Sequence, residues 1–538
     1  MKQTYIKSFF GLTLVVALLA STGCKKLEDF GDTDTRTDQA SDPTTAYLLS
    51  NASIGLPAVL SSTAGGIRGS LYAQQWAETQ YTDVSLYGNP QLDFGSYATS
   101  VMDLQRIINL NTDPATKSAF NVLGTSTAPL GSNGSQIAIA TILKVYFMWT
   151  ITDRWGDVPY TEALKGAENL TPAYDKQEDI YAFMLRDLKA AMASFDPTAA
   201  VRGDLYYPVP KSPYPYPAFP LIAYQADIDA QIAKWKKVAN SLRMLIALRM
   251  SKVNPALAET EFADAANDPA GAIETNADNL KLSYSGASAF ETNTFYSNLN
   301  GRKDYAFSKT LGDILANMGD PRRAAYGNSG AAFPYGLKRD DAVAFDGSVQ
   351  GAYATPINST YRAVNSSVVV LPAAYVLLAK AEAADRGWIS GSAQTYYEAG
   401  VTASFTQWGQ SAAAATTYLA GAADFNTGNG GGLNIGFAAA FPSIVGADAT
   451  TATPRERIQL QRYLASFGDG LQAWCEWRRT GIPHLKPTAY GVNTPQEIPR
   501  RLTYGTTEYA ANPVNVAAAA ARYPGGDKMD SRMWWDTP

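Results

Sequence analysis

Apolar side chains recur along this chain at spacings of three and four residues, and rarely at two. Ile180, Phe183, Met184, Leu188, Ala191, Met192 and Phe195 trace one stripe, and Trp235, Val238, Ala239, Leu242, Leu245 and Ile246 a second. Leu460, Tyr463, Leu464, Phe467, Leu471, Trp474 and Cys475 trace a third, on which Cys475 reads as a core packer rather than a reactive thiol. That period gathers residues on one face of a helix, so a body built of such stretches is mainly α. Residues 136–151 are apolar almost all round, which predicts a buried helix. Residues 366–371 are a candidate strand among few period-two runs.

The clearest helix pair runs from 373 to 386, closed by Gly387, and from 392 to 407, closed by Gly409. Its second helix sets Ala393, Tyr396, Tyr397, Gly400, Val401 and Phe405 on one face. Small residues in register with aromatics let two helices approach closely, the device of tetratricopeptide-type hairpins. No strict repeat period is visible. The expectation is a tetratricopeptide-like helix-pair scaffold with long irregular loops and little β.

The loop-like segments are 81–97, 206–220, 293–305 and 421–437. Irregular segments of such length in a compact protein are usually functional or disordered, and aromatic-rich ones favour function. Composition narrows the chemistry they can perform. Among 538 residues, 44 Lys and Arg stand against 49 Asp and Glu, a balance unsuited to binding nucleic-acid backbones. One histidine, His484, removes most metal sites and every imidazole-based catalytic pair not built around it. No Gly-Lys dipeptide supplies a P-loop, and the glycines of 428–436 miss the dinucleotide spacing. Neither Cys-x-x-Cys nor His-Glu-x-x-His occurs, and no pair among the acids is nominated for glycoside cleavage. No catalytic residue, cofactor or metal ligand is therefore assigned. What remains are the faces of 31 Tyr, 20 Phe and 10 Trp, which stack on sugar rings or apolar ligands, with Asn, Asp and Arg to bond hydroxyls.

The N-terminus reads as an address. Lys2 and Lys7 precede an apolar run over 9–20, too short as a helix to cross a bilayer. Residues 1–23 are expected to be a signal peptide. Ser21-Thr22-Gly23-Cys24 resembles a bacterial lipoprotein cleavage site, with Ser21 where Leu is most usual, and makes Cys24 the lipid attachment residue. Residues 24–43 are polar and acidic and read as a tether, leaving 44–538 as the folded domain.

Asp153-Arg154-Trp155-Gly156-Asp157-Val158-Pro159-Tyr160, the stretch 172–181, the helix segment 234–250, Asp320-Pro321-Arg322-Arg323, residues 377–388, 473–483, Ile498-Pro499-Arg500-Arg501-Leu502 and Trp534-Trp535-Asp536 form an ordered set. Together they resemble the SusD-like (SusD/RagB) outer-membrane lipoproteins of Bacteroidota, in the branch described as starch-binding. The resemblance implies a helical surface lipoprotein that caps a TonB-dependent, SusC-like barrel and captures a nutrient, most often an oligosaccharide, for import. Members are not enzymes as a rule. It also implies lipidation of Cys24 and anchoring in the outer membrane, facing outwards; Glu28-Asp29 resembles a surface-export signal. The Pro- and Tyr-rich segment 206–220 departs from the family, where a short Gly-Asp turn is usual, so starch specificity does not carry over. The Trp155–Tyr160 signature is read as structural, with Trp155 packing and Pro159 ending a turn. By family position, ligand contacts are expected from 81–97 and 293–305: Tyr87, Asn89, Tyr296, Asn298, Arg302 and Tyr305. Two other readings stand beside this one, a surface glycoside hydrolase and a structural transporter subunit without its own ligand. Peptides remain an alternative nutrient.

Overall fold

The computed structural model describes residues 43–94, 98–125, 128–209, 221–288, 291–301, 303–327, 330–347, 353–420 and 453–538. Cys24 and the leader, the tether up to residue 42, most of the Pro- and Tyr-rich segment, Arg302 and the Gly-rich stretch 421–452 lie outside the described residues.

The unit Thr44–Pro538 is mainly helical, as the periodicity predicts. Its helices include α1 (Thr45–Ser61), α2 (Gly66–Tyr72), α3 (Ala98–Thr112), α4 (Asn133–Trp155), α5 (Gln177–Ser194), α6 (Leu221–Arg249) and α7 (Pro255–Ala266). They continue with α8 (Thr294–Leu299), α9 (Arg339–Gly347), α10 (Ala373–Asp385), α11 (Ala393–Gln407), α12 (Pro454–Ala465) and α13 (Gly470–Thr480). The apolar segment predicted as buried is α4. Ser132 caps its start by accepting from Ser135 N, and residues from Ala138 to Trp155 are buried apart from Thr141 and Lys144.

The pair α10 and α11 forms as expected. Gly387 and Gly409 end the helices at positive φ, +80° and +71°. Gly400 is required by contact: a Cβ there would lie 2.6 Å from Leu378 Cγ across the pair. The third apolar stripe, by contrast, is two helices. α12 stops at Ala465, Gly468 turns at φ +92°, and Asp469 caps α13 by accepting from Gln472 N. The turn keeps every stripe residue buried, which is why periodicity alone does not reveal the break. Beyond it, Gly470 touches α2 so closely that a Cβ would meet Gly66 O at 2.1 Å.

Strands are short. β1 (Trp76–Glu78) pairs antiparallel with β3 (Tyr305–Phe307), and β2 (Leu280–Leu282) with β4 (Val368–Leu371), the predicted strand. A large apolar core runs through the helices, and a small second one forms around Ala77, Ala306, Phe333 and Ala342.

The separated sequence signatures meet in the large core. Asp153 Oδ1 accepts from Tyr181 Oη at 2.5 Å and Trp535 Nε1 at 3.0 Å. Arg478 donates to Asp153 O at 2.7 Å, and Arg501 to Trp155 O at 2.9 Å. Gly156 turns at φ +83° where a Cβ would collide with Tyr523 Oη, and Asp157 pairs with Arg522. Cys475 is buried beside them and accepts from Arg478 Nη2, a packing thiol as expected.

Candidate functional site

Pairing of β1 with β3 sets Glu78 opposite Tyr305, which joins the two loops expected to hold ligand contacts. Thr79 extends the join, its N–H donating to Asp304 O at 2.9 Å and its hydroxyl to Lys303 O at 2.6 Å. Glu78 then pins the outgoing loop by accepting from Ser85 N at 2.8 Å. Burial pushes its carboxyl up to about 7.

Above the small second core, this loop, helix α9 and the segment 486–493 present an aromatic surface. Tyr81 is 47% exposed, Phe345 43% and Tyr490 42%. Each has a neighbour that fixes it. The Arg339 guanidinium lies 5.6 Å from the Tyr81 centroid, and Lys338 Nζ lies 4.9 Å from that of Tyr490. Phe345 stacks on Tyr353 with centroids 5.4 Å apart, and Gln80 donates to Asp346 Oδ2 at 2.8 Å, tying loop to helix. Exposed rings beside exposed cations leave apolar faces and hydrogen-bond donors together, which suits the faces and hydroxyls of a sugar.

The described residues among those expected from sequence are placed as follows. Tyr87 is fully buried, at φ +64°, with its hydroxyl accepting from Thr488 N at 3.0 Å and Gly491 against its ring. It supports from beneath the segment that carries Tyr490. Asn89 is exposed, but its Oδ1 accepts from Thr503 Oγ1 at 2.7 Å and Gln91 N at 3.2 Å, closing a turn. Asn298 is exposed on α8, with its amide nitrogen donating to Ser61 O at 2.9 Å and Thr294 O at 3.0 Å. Tyr296 is half-buried on the same helix. Tyr305 packs its half-buried ring 6.1 Å from Trp76. Tyr81, at the edge of the expected loop, and Phe345, Tyr353 and Tyr490, outside it, were not legible as ligand candidates. The one available signal was the Lys338-Arg339 pair, a cationic partner for two aromatic loops.

A larger groove of about 980 Å³ lies between α5, α6 and α7, lined by Lys189, Phe195, Asp229, Ile232, Lys236 and Asp264 among others. In its wall Lys189 meets Glu261 at 2.6 Å and Asp264 at 3.8 Å.

A family model described as SusD-like, SusD and RagB outer membrane lipoprotein, matches residues 94–536. Among solved structures, a chitin-binding protein is similar at 26% identity and TM-score 0.68, over 92% of this chain and 100% of that one. A chitin-binding SusD homologue from Flavobacterium johnsoniae matches at 24% identity and TM-score 0.68, over 91% and 98%. A SusD homologue from Bacteroides fragilis matches at 22% identity and TM-score 0.70, over 92% and 100%. Comparison with curated proteins gives no match.

Proposed function

Because the chain belongs to the SusD-like family of SusD and RagB outer membrane lipoproteins, we propose that it binds an oligosaccharide at the cell surface and passes it to a TonB-dependent, SusC-like barrel. The observation that carries this reading is the exposed aromatic surface of Tyr81, Phe345 and Tyr490, with Lys338 and Arg339 between. Nutrient binding in the outer membrane follows from the family; delivery to the barrel, outward orientation and the ligand class are our inference. Two structural neighbours described as chitin-binding make an amino-sugar glycan the first class to test. In this reading residues 1–23 are removed, Cys24 carries the lipid, 24–43 are a tether, and the domain 44–538 binds without turnover.

Calorimetry against a panel of oligosaccharides and peptides, followed by chromatography of the ligand, tests the proposal. Binding of intact glycan is expected, and replacing Tyr81 and Tyr490 together by Ala should weaken it at least about tenfold. Shortened products would establish a glycoside hydrolase instead. Flat titrations would favour a structural subunit of the transporter, and unchanged affinity in the double variant would move the site elsewhere. Cys24→Ala should abolish lipid labelling and membrane retention; retention equal to the native protein would defeat the anchoring assignment. Gentle detergent extraction of the native protein should bring a large β-barrel with it.

A further inference from the structure

Three segments converge on the first turn of α1, at the start of the described chain. Thr45 Oγ1 donates to Val122 O at 3.2 Å, and Ser50 Oγ donates to Gly203 O at 2.9 Å. Gly203 lies so close to α1 that a Cβ there would meet Ala46 O at 2.0 Å, and Arg202 N donates to Leu130 O at 2.9 Å. Between residues 122 and 130 the chain reverses through a short antiparallel pair, Gly124–Thr125 with Ala128–Pro129.

Two aromatic side chains stand out from this junction. Tyr47, two residues after Thr45, is 71% exposed, and Phe120, two residues before Val122, is 68% exposed. No charged residue occurs from 44 to 67 or from 118 to 143, so the surface around these rings is uncharged. Its edges are cationic. Lys117 is exposed and Arg202 half-buried, and neither side chain has an ion-pair partner among the described residues. Acids on adjoining segments are engaged: Asp103 accepts from Asn51 Nδ2 at 2.6 Å, and Asp113 from Ala115 N at 2.8 Å. Exposed aromatic rings edged by unpaired cations match the boundary of a bilayer, where rings sit at headgroup depth and cations meet phosphates.

The path of the chain selects that occupant. Cys24, the lipid attachment residue in the reading above, stands about 20 positions before Thr44, a link of at most about 70 Å when fully extended. The bilayer is thus held within reach of the first turn of α1, the part of the domain nearest to the lipid along the chain. Tethering at that point converts even a weak attraction into a standing contact, because a high effective concentration replaces the bulk one. We infer that this surface rests on the lipid bilayer, with Tyr47 and Phe120 at headgroup depth and Lys117 and Arg202 against lipid phosphates. The contact fixes how the domain is oriented, where the lipid alone fixes only its location. This assignment rests on the anchoring reading above and adds the protein surface that meets the membrane.

The lipidated full chain has a single unmodified thiol, Cys475, which is buried, so a cysteine placed on the surface takes a spin label selectively. Tyr47→Cys, Phe120→Cys and, on the aromatic surface, Tyr490→Cys are labelled and placed on vesicles of phosphatidylethanolamine with about one quarter phosphatidylglycerol. Labels at 47 and 120 should collide with a water-soluble nickel chelate at least about tenfold less often than the label at 490, which must stay open to water for a glycan to reach it. Should a cysteine variant fail to fold, as judged by its thermal midpoint, amide exchange supplies a second measurement. Tyr47→Ser combined with Phe120→Ser still floats with vesicles through its lipid, and its amides at 45–48 and 118–123 should exchange at least about tenfold faster than those of the native chain on the same vesicles. Equal accessibility of all three labels, or unchanged exchange in the double variant, would overturn the assignment. Shielding of 47 and 120 that appears only when a barrel partner is added would give the surface to that partner, and broadening between labels on two copies would give it to a dimer. A native chain that carries no lipid and does not float with the vesicles would instead defeat the anchoring reading, and the assignment with it.

Discussion

Glu382→Ala should lower the stability of the folded domain by about 3–5 kcal/mol, measured by urea unfolding, because it strands buried cations. Glu382 on α10 is fully buried and accepts from both Arg479 Nη atoms at 2.8 and 2.7 Å and from Arg386 Nη2 at 2.8 Å. Glu476 on α13 accepts from Arg462 at 2.9 and 2.8 Å and from Arg479 at 2.8 Å, with Arg249 of α6 at 3.5 Å. Four helices, α6, α10, α12 and α13, thus share one ionic cluster. Removing one carboxylate leaves Arg479, 1% exposed, with Glu476 alone. Burial pushes the Glu382 carboxyl up, but Arg479, Arg386 and Arg462 outweigh it and hold the group far below the ordinary range. A carboxylate depressed on folding contributes stability that is complete above its unfolded value and is lost as pH falls through the folded one. The native domain should therefore hold this contribution at neutral pH and shed it only below about pH 4.5, with Glu382→Gln showing a shallower acid-side decline. A loss under about 1 kcal/mol for Glu382→Ala would show that the cluster contributes little net stability.

The helices were legible because periodicity is local: α5, α6 and the α10–α11 pair follow from residues within a few turns of one another, and Gly387 and Gly409 mark their ends. The split between α12 and α13 was not, because the turn at Gly468 leaves the apolar stripe buried on both sides. The site was less legible for a related reason. Tyr81 and Tyr87 stand six positions apart in one loop, yet one is 47% exposed and the other fully buried. Nothing local separates them; the difference is made by Thr488 and Gly491, some four hundred residues onward, which close over Tyr87. The exposed surface likewise assembles from three distant segments, and a list of aromatics does not say which share a face. The reading of the Trp155–Tyr160 signature as structural, by contrast, agrees with the partners it finds.

Trp155→Ala is the second large effect, with an expected loss of about 3–5 kcal/mol for removing a buried tryptophan. Trp155 is fully buried at the end of α4, its ring 5.8 Å from Phe94 and 4.6 Å from the Arg154 guanidinium. Its Nε1 donates to Leu92 O at 3.0 Å and Thr503 O at 3.1 Å, so one side chain holds two segments that are remote in sequence. Thr503 in turn donates to Asn89, and Leu92 and Asn89 belong to the loop that begins at Tyr81. The substitution should therefore do more than open a cavity: the anchor of that loop is lost, and glycan affinity should fall beyond what the stability change predicts. Trp155→Phe separates the two contributions. It restores much of the packing but leaves both carbonyls without their donor, at a cost of about 1–3 kcal/mol. If Trp155 serves only to fill space, Trp155→Phe will bind glycan as the native protein does; if it positions the loop, affinity will remain reduced in a folded protein. The measurement is calorimetry on both variants at a temperature where circular dichroism shows each fully folded.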